Sequence, residues 1–186
     1  MQTGFAATSN MILQELHRAL AEIDEAEVSD AARAMLKARR LFVQGAGRSG
    51  LALKMAAMRM MHLGLIVYVA GEVVTPAIEA GDLLVVASGS GTTAGPVHAA
   101  EVARKAGARV LALTTTPESP LGLLATSVVR ISAATKQGGD RTQSQQYAGA
   151  LFEQAVLLLM DSLFQELWHQ RGETAEQLWK RHANLE

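Results

Sequence analysis

No cysteine occurs among the 186 residues. Disulfide staples, thiolate catalysis and cysteine-ligated zinc are therefore excluded, and a reducing compartment is compatible with the composition. Charge of neither sign predominates: 17 lysines and arginines stand against 18 aspartates and glutamates, for a net charge of -1. That balance excludes a general nucleic-acid binder held by a basic surface. No uncharged apolar run approaches the roughly 18 residues that a spanning helix requires. The opening residues Met1 to Phe5 lack the cationic stretch and apolar core of a secretory signal. Low-complexity tracts, tandem repeats and Pro/Ser linkers are missing as well. What remains is 49% hydrophobic and 19% charged, a globular composition, in a chain long enough to close a proper core. The expectation is one soluble, cytoplasmic domain over residues 1–186, with neither membrane nor nucleic acid as partner.

Between Ser9 and about Glu25, Ile12, Leu16, Leu20 and Ile23 share one helical face, with Ser9 or Asn10 as the cap. A second short helix is expected after Ser29, anchored by Met35 and Leu36. The period then changes. Short apolar runs at Leu41–Val43, Leu65–Val69, Leu83–Val86, Val110–Leu113 and Val128–Ile131 suit strands covered on both faces, as in a parallel sheet. Helical patterns at Leu51–Leu63, Pro96–Ala106 and Leu121–Ala125 lie between them. A long helix from about Tyr147 to His169 and a short one from about Thr174 close the chain. This alternation predicts a single-domain, three-layer α/β/α sandwich around a five-stranded parallel sheet. Leading helices occupy 9–39, the sheet core 41–131 and the closing helices 147–184.

In such sheets ligands sit outside the carboxyl ends of the strands, which directs attention to two loops. Gly45-Ala46-Gly47-Arg48-Ser49-Gly50 fits the G-x-G-x-x-G dinucleotide fingerprint, and Glu72 follows near the end of the next strand, where a ribose-binding acid would stand. A tight turn that needs small residues accounts for the same glycines. Ser88-Gly89-Ser90-Gly91-Thr92-Thr93 weakens the dinucleotide reading. Its four hydroxyls and pliant glycine backbone, at the start of a helix, can surround a phosphate with O–H and N–H donors. Helix caps and turns are the plainer account of such clusters. Neither loop has the G-x-x-x-x-G-K-[ST] form, so nucleoside triphosphate chemistry is not expected. One compact clamp suits a monophosphorylated small molecule.

Gly47-Arg48-Ser49-Gly50 and Ser88-Gly89-Ser90-Gly91-Thr92-Thr93, each closing a strand, resemble the loops of the sugar isomerase (SIS) domain family over nearly the whole chain. In that family these loops hold the phosphate of a sugar phosphate. The resemblance implies substrate binding by Gly47, Arg48, Ser49, Ser88, Gly89, Ser90, Gly91, Thr92 and Thr93. Thr92 departs from the pattern, because many relatives carry glutamate there; the hydroxyl donors are kept while a loop charge is lost. Met58 to Gly64, the Gly71-Glu72 strand end and Tyr147 to Glu153 are similar to the 6-phospho-3-hexuloisomerase branch. That similarity implies interconversion of D-arabino-3-hexulose 6-phosphate and D-fructose 6-phosphate through a 2,3-enediol, in the ribulose monophosphate pathway of formaldehyde fixation. It also implies a homotetramer, a dimer of dimers with sites shared between subunits. The apolar faces of the leading helix (Ile12, Leu16, Leu20) and of the closing helix are the expected subunit contacts.

Moving a carbonyl between adjacent carbons needs a base for the carbinol proton and a stabilised enediolate oxygen. It needs no metal. The five histidines (His17, His62, His98, His169, His182) show no paired ligand spacing, so neither metal nor cofactor is assigned. Glu153 is the only charge between Tyr147 and Met160. From composition it is equally a carboxylate made basic by apolar surroundings and a helix-start acid favoured by the dipole or facing solvent; the family resemblance implies the general base. His62 ends a helix before Leu63-Gly64, a natural C-terminal cap, while the resemblance implies a proton shuttle, in some relatives from a neighbouring subunit. Arg48 is read as a phosphate partner or a solvated loop charge. Lys136 and Arg141 belong to a polar connection, Ser132 to Gln146, of lid-like length. Glu72 is a substrate-hydroxyl partner or a strand-end charge, and the Met55, Met58, Met60, Met61 cluster is read as adaptable packing. Three other readings stand beside this one: an isomerase for a pentose 5-phosphate or heptose 7-phosphate, a non-catalytic sugar-phosphate sensor, and a nicotinamide-binding protein. The sensor would need a DNA-reading module, for which there are no spare residues.

Overall fold

The computed structural model describes residues 4–134 and 144–185. Helices α1 (Phe5–Ala21) and α2 (Glu25–Lys37) lead into β1 (Leu41–Gly45), α3 (Gly47–His62) and β2 (Val67–Val69). There follow β3 (Leu83–Ala87), α4 (Ala94–Lys105), β4 (Arg109–Thr114), α5 (Pro120–Leu124) and β5 (Ser127–Arg130). The chain closes with α6 (Ala150–Arg171) and α7 (Ala175–Trp179). All strand pairs are parallel, in the order β2-β1-β3-β4-β5.

Side chains alternate across a strand, and the alternation divides the core in two. Leu41, Val43, Leu83, Val85, Leu111, Leu113 and Val129 face the layer of α1, α2, α3 and α6. Phe42, Leu84, Val86, Val110 and Ala112 face the opposite layer, where Ala100 and Ala103 of α4 and Leu121 of α5 meet them. Both faces are covered, which is why the strands read as unbroken apolar runs. The expected three-layer sandwich is the observed one. Among the described residues no helix is long and apolar enough to cross a membrane.

Four boundaries differ from expectation. Helix α1 begins at Phe5 behind Gly4, so Ser9 and Asn10 lie inside it rather than capping it. Helix α2 starts at Glu25, because the Asp24 carboxylate accepts from the Ala26 amide at 2.7 Å; Ser29 is interior, and Leu36 points outward while Met35 is buried. The expected Tyr147 start of the closing helix moves to Ala150. Most consequential, α3 begins at Gly47, so the first glycine loop is itself the opening helical turn.

The apolar faces assigned to subunit contacts are also largely used within the chain. Leu16 is buried, Ile12 and Leu20 pack on the core, and α6 buries residues such as Leu151, Val156 and Leu163. Exposed apolar side chains stand instead on α3, at Leu51, Met55 and Met58. Of the methionine cluster only Met60 is a core residue; Met55, Met58 and Met61 are exposed.

Candidate active site

Strand order reverses between β1 and β3, since the chain turns out to β2 and returns on the other side of β1. That is the switch point at which ligands bind open α/β sheets. Register makes the two loops level: Gly45 pairs with Ala87, so Ala46 and Ser88 leave the sheet side by side. Between them lies a cleft of about 360 Å³, lined among others by Gly47, Ser49, Ser88, Ser90, Thr93 and Phe152.

Glycine has distinct reasons at each position. A Cβ on Gly45 would stand 2.8 Å from the Gly50 amide nitrogen, and one on Gly50 would collide with the Gly45 carbonyl. These two glycines therefore let α3 start directly against the end of β1. Close packing explains the fingerprint without any dinucleotide. Gly91 adopts φ 63, the left-handed region, and a Cβ there would run into the Ser119 side chain. Gly89 lies under the Phe152 ring, 3.3 Å from where its Cβ would be, and so admits the first turn of α6 to the loop.

The loop hydroxyls are organised as donors. Ser88 Oγ donates to Thr93 Oγ1 at 3.0 Å. Ser90 Oγ accepts from the Thr92 hydroxyl at 2.9 Å and from the Thr92 amide at 3.3 Å. The hydroxyl protons of Ser90 and Thr93 are thereby directed away from these contacts. Neither Ala46 nor Thr93 caps its helix with a side chain, so the first amides of α3 and α4, both at the cleft, keep their capacity to bind an anion. Sequence reasoning missed the support beneath this loop. Thr114 and Thr115 hydroxyls donate to the Gly89 carbonyl at 3.2 and 2.8 Å, and the Leu121 amide donates to the Gly91 carbonyl at 3.0 Å. The hydroxyl run Thr114-Thr115-Thr116 at a strand end was the available signal. Gly149 and Ala134 also line the cleft and carried none.

Glu153 lies in the first turn of α6, one residue past Phe152, and is 5% exposed. The solvent-facing account of this residue is thereby removed. Its Oε2 meets Arg48 Nε at 2.6 Å. Arg48 itself is largely exposed and joins the first turn of α3 to the first turn of α6. The structure thus gathers Gly47, Arg48, Ser49, the Ser88–Thr93 loop and Glu153 at one end of the sheet.

It does not gather His62. That residue ends α3, about 20 Å along the helix from Arg48. Its ring is buried, stacked on His182 at 3.8 Å between centroids, and Nδ1 has no hydrogen-bond partner among the described residues. Burial, with His182 and Arg59 nearby, holds its pKa below the usual histidine value. Glu72 lies outside the cleft, paired with Lys54 at 2.5 Å, as a strand-end charge. Lys136 and Arg141 lie outside the described residues.

The α/β sandwich thus carries two glycine- and hydroxyl-rich loops at its switch point, with a buried carboxylate beside them. The SIS domain family matches residues 34–158, and the chain belongs to it. The 3-hexulose-6-phosphate isomerase of Mycobacterium gastri is 54% identical over 177 residues, covering 95% of this chain and 89% of that protein. The enzyme of the same name from Bacillus subtilis (strain 168) is 39% identical over 176 residues, 94% of this chain and 95% of that protein. A crystal structure from Methanococcus jannaschii, with the inferred function of 3-hexulose-6-phosphate isomerase, superposes with a TM-score of 0.82. It is 25% identical and covers 97% of this chain and 99% of its own.

Proposed function

We propose that this chain is a 3-hexulose-6-phosphate isomerase, interconverting D-arabino-3-hexulose 6-phosphate and D-fructose 6-phosphate. The observation that carries the reading is an anion cradle with a buried carboxylate one residue beyond its lining. The amides of two helix starts and the Ser90 and Thr93 hydroxyls face the cleft, and Glu153, paired with Arg48, follows the cleft-lining Phe152 in the first turn of α6. Relatives as similar as the Mycobacterium gastri enzyme supply the substrate.

In the proposed mechanism Ser49, Ser90 and Thr93, with the loop amides and with Ser88 orienting the Thr93 hydroxyl, hold the 6-phosphate. Glu153 removes the C2 proton of the 3-ketose, and the electron pair forms the C2–C3 double bond as the C3 oxygen takes up charge and then a proton. Loss of the O2 proton re-forms a carbonyl at C2, while Glu153 returns its proton to C3. Arg48, in the first turn of α3 next to the cleft-lining Gly47 and Ser49, holds the carboxylate between turnovers. Phosphate on O6 blocks ring closure of the 3-ketose through that oxygen, so a largely open-chain substrate needs little ring-opening machinery.

On this proposal the chain acts in the cytoplasm as a homotetramer; the exposed Leu51, Met55 and Met58 stripe along α3 supports self-association. A proton-shuttling role for His62, at the far end of that helix, then belongs to the cleft of a second copy. The reaction would serve formaldehyde fixation through the ribulose monophosphate pathway.

The test is fructose 6-phosphate in heavy water. The 2,3-enediol route puts deuterium at C3 and yields the 3-ketose. Deuterium at C1 would instead mark an aldose–ketose isomerase, and the absence of both exchange and 3-ketose product would mark a sensor; either outcome ends the proposal.

A further inference from the structure

Away from the cleft, one buried carboxylate has no place in the mechanism above. Glu15 projects from the middle of α1 and is 2% exposed. Its Oε1 accepts the Gln145 amide at 2.7 Å; its Oε2 accepts the Ser144 hydroxyl at 2.7 Å and the Gln146 side-chain amide at 3.0 Å. Ser144 Oγ in turn accepts the Gln146 backbone amide at 3.1 Å. Both carboxylate oxygens are thus engaged by three consecutive residues far away in sequence. Burial alone would raise the pKa of this group, but these donors and nearby Arg18 outweigh it and hold the pKa below the usual carboxylate value. The clamp is made by the ionised form.

What the clamp holds leads directly to the cleft. Ala148 follows with φ 52, a left-handed conformation that costs alanine free energy and persists only where the surroundings enforce it. Gly149, at the start of α6, lines the cleft with Phe152, and Glu153 comes next, its amide donating to the Gly149 carbonyl at 3.1 Å. Helix α1 also packs along α6. We infer that Glu15 is a positioning residue for the carboxylate that moves the substrate proton: by clamping residues 144–146 it fixes where α6 begins and so where Glu153 stands. The inference rests on the reading of Glu153 as the base.

Glu15→Gln places an amide donor among groups that are themselves donors, so the clamp loses at least one bond. Expected is a fall in kcat of at least tenfold, with KM for fructose 6-phosphate within about twofold, because the phosphate loops are untouched. The decisive measurement is the same substitution in a Glu153→Gln background. A residue acting through Glu153 should cause little further loss there, whereas one that merely stabilises the fold should lower both backgrounds by the same factor. Glu15→Gln combined with Gln146→Glu exchanges acceptor and donor and should restore most of the turnover. Should Glu15→Gln fail to fold, Gln146→Met, at a partly exposed position, removes one donor and should lower kcat severalfold at constant KM. Unchanged kcat in the folded variants, or equal loss in both backgrounds, overturns the positioning role. Wild-type turnover by Glu153→Gln overturns the base reading itself, a distinguishable failure.

Discussion

At the scale of single residues, two substitutions separate binding from chemistry. Glu153→Gln keeps volume and hydrogen-bonding reach but removes the basic oxygen. Turnover should fall about a hundredfold to ten-thousandfold, the usual worth of a positioned base, with KM little changed. Steady-state kinetics on fructose 6-phosphate decide it, and a wild-type rate would remove Glu153 from the mechanism. Ser88→Ala with Ser90→Ala acts on the other half of the site. Ser88 holds Thr93 through its hydroxyl, and Ser90 is held by Thr92 with its own proton to spare. Each lost hydrogen bond to a charged group costs about 1.5–3 kcal/mol, so KM should rise well over tenfold while the melting temperature moves little. Unchanged kinetics in the folded double variant would show that the phosphate lies elsewhere.

Elements explain what the sequence made legible. The five strands could be found because both faces of each are covered, leaving apolar runs such as Leu83–Ala87 with nothing polar in them. The glycine loops could be found because close approach and φ > 0 admit only glycine at Gly45, Gly50 and Gly91. Helix starts were less legible. Asp24 caps α2 five residues before the Ser29 from which the sequence led one to expect it, and Gly47 to Gly50 read as a loop although they form the first turn of α3. Glu153 could be singled out as an isolated charge, but its partner Arg48 is over a hundred residues away, and no local pattern pairs them. At the opposite end of the sheet lies another non-local pair. Asp82, fully buried, accepts from Arg40 at 2.6 and 3.0 Å, from Arg39 at 3.2 Å and from the Glu79 amide at 2.8 Å. Burial pushes its pKa up, but Arg40, the Glu79 amide and Arg39 outweigh it and bring it down to about 2. A carboxylate with its folded-state pKa depressed contributes stability that is complete above its unfolded value, near 4, and is lost as pH falls through the folded value. Asp82→Asn should therefore destabilise by roughly 2–3 kcal/mol at neutral pH. The difference from wild type should shrink as pH falls from about 4 towards 2. Denaturant titrations across that range test it, and a pH-independent difference would mean that shape rather than charge holds the β1 and β3 entrances together.

For the molecule as a whole, the open matter is how many chains make one site. Glu153 and His62 stand at opposite ends of α3, so a single subunit cannot bring both to one sugar. The apolar side chains of Leu51, Met55 and Met58 recur along the exposed face of the helix between them, where a second copy could dock with closed symmetry. If His62 serves a partner's cleft, Glu153→Gln and His62→Gln chains are each deficient alone but complementary together. Co-refolded in equal amounts, half of the random pairs are mixed, and each mixed pair holds one site with both wild-type residues. About a quarter of wild-type turnover should return. Light scattering on the same samples should report a tetramer throughout. If both residues served the same chain's cleft, or if His62 only packed against His182, mixing would yield no more than the average of the two variants. A fully active monomer would refute the shared site directly. The mixing result holds even if Arg48 or a loop hydroxyl shares the proton transfer, because it counts only whether a site needs residues from two chains.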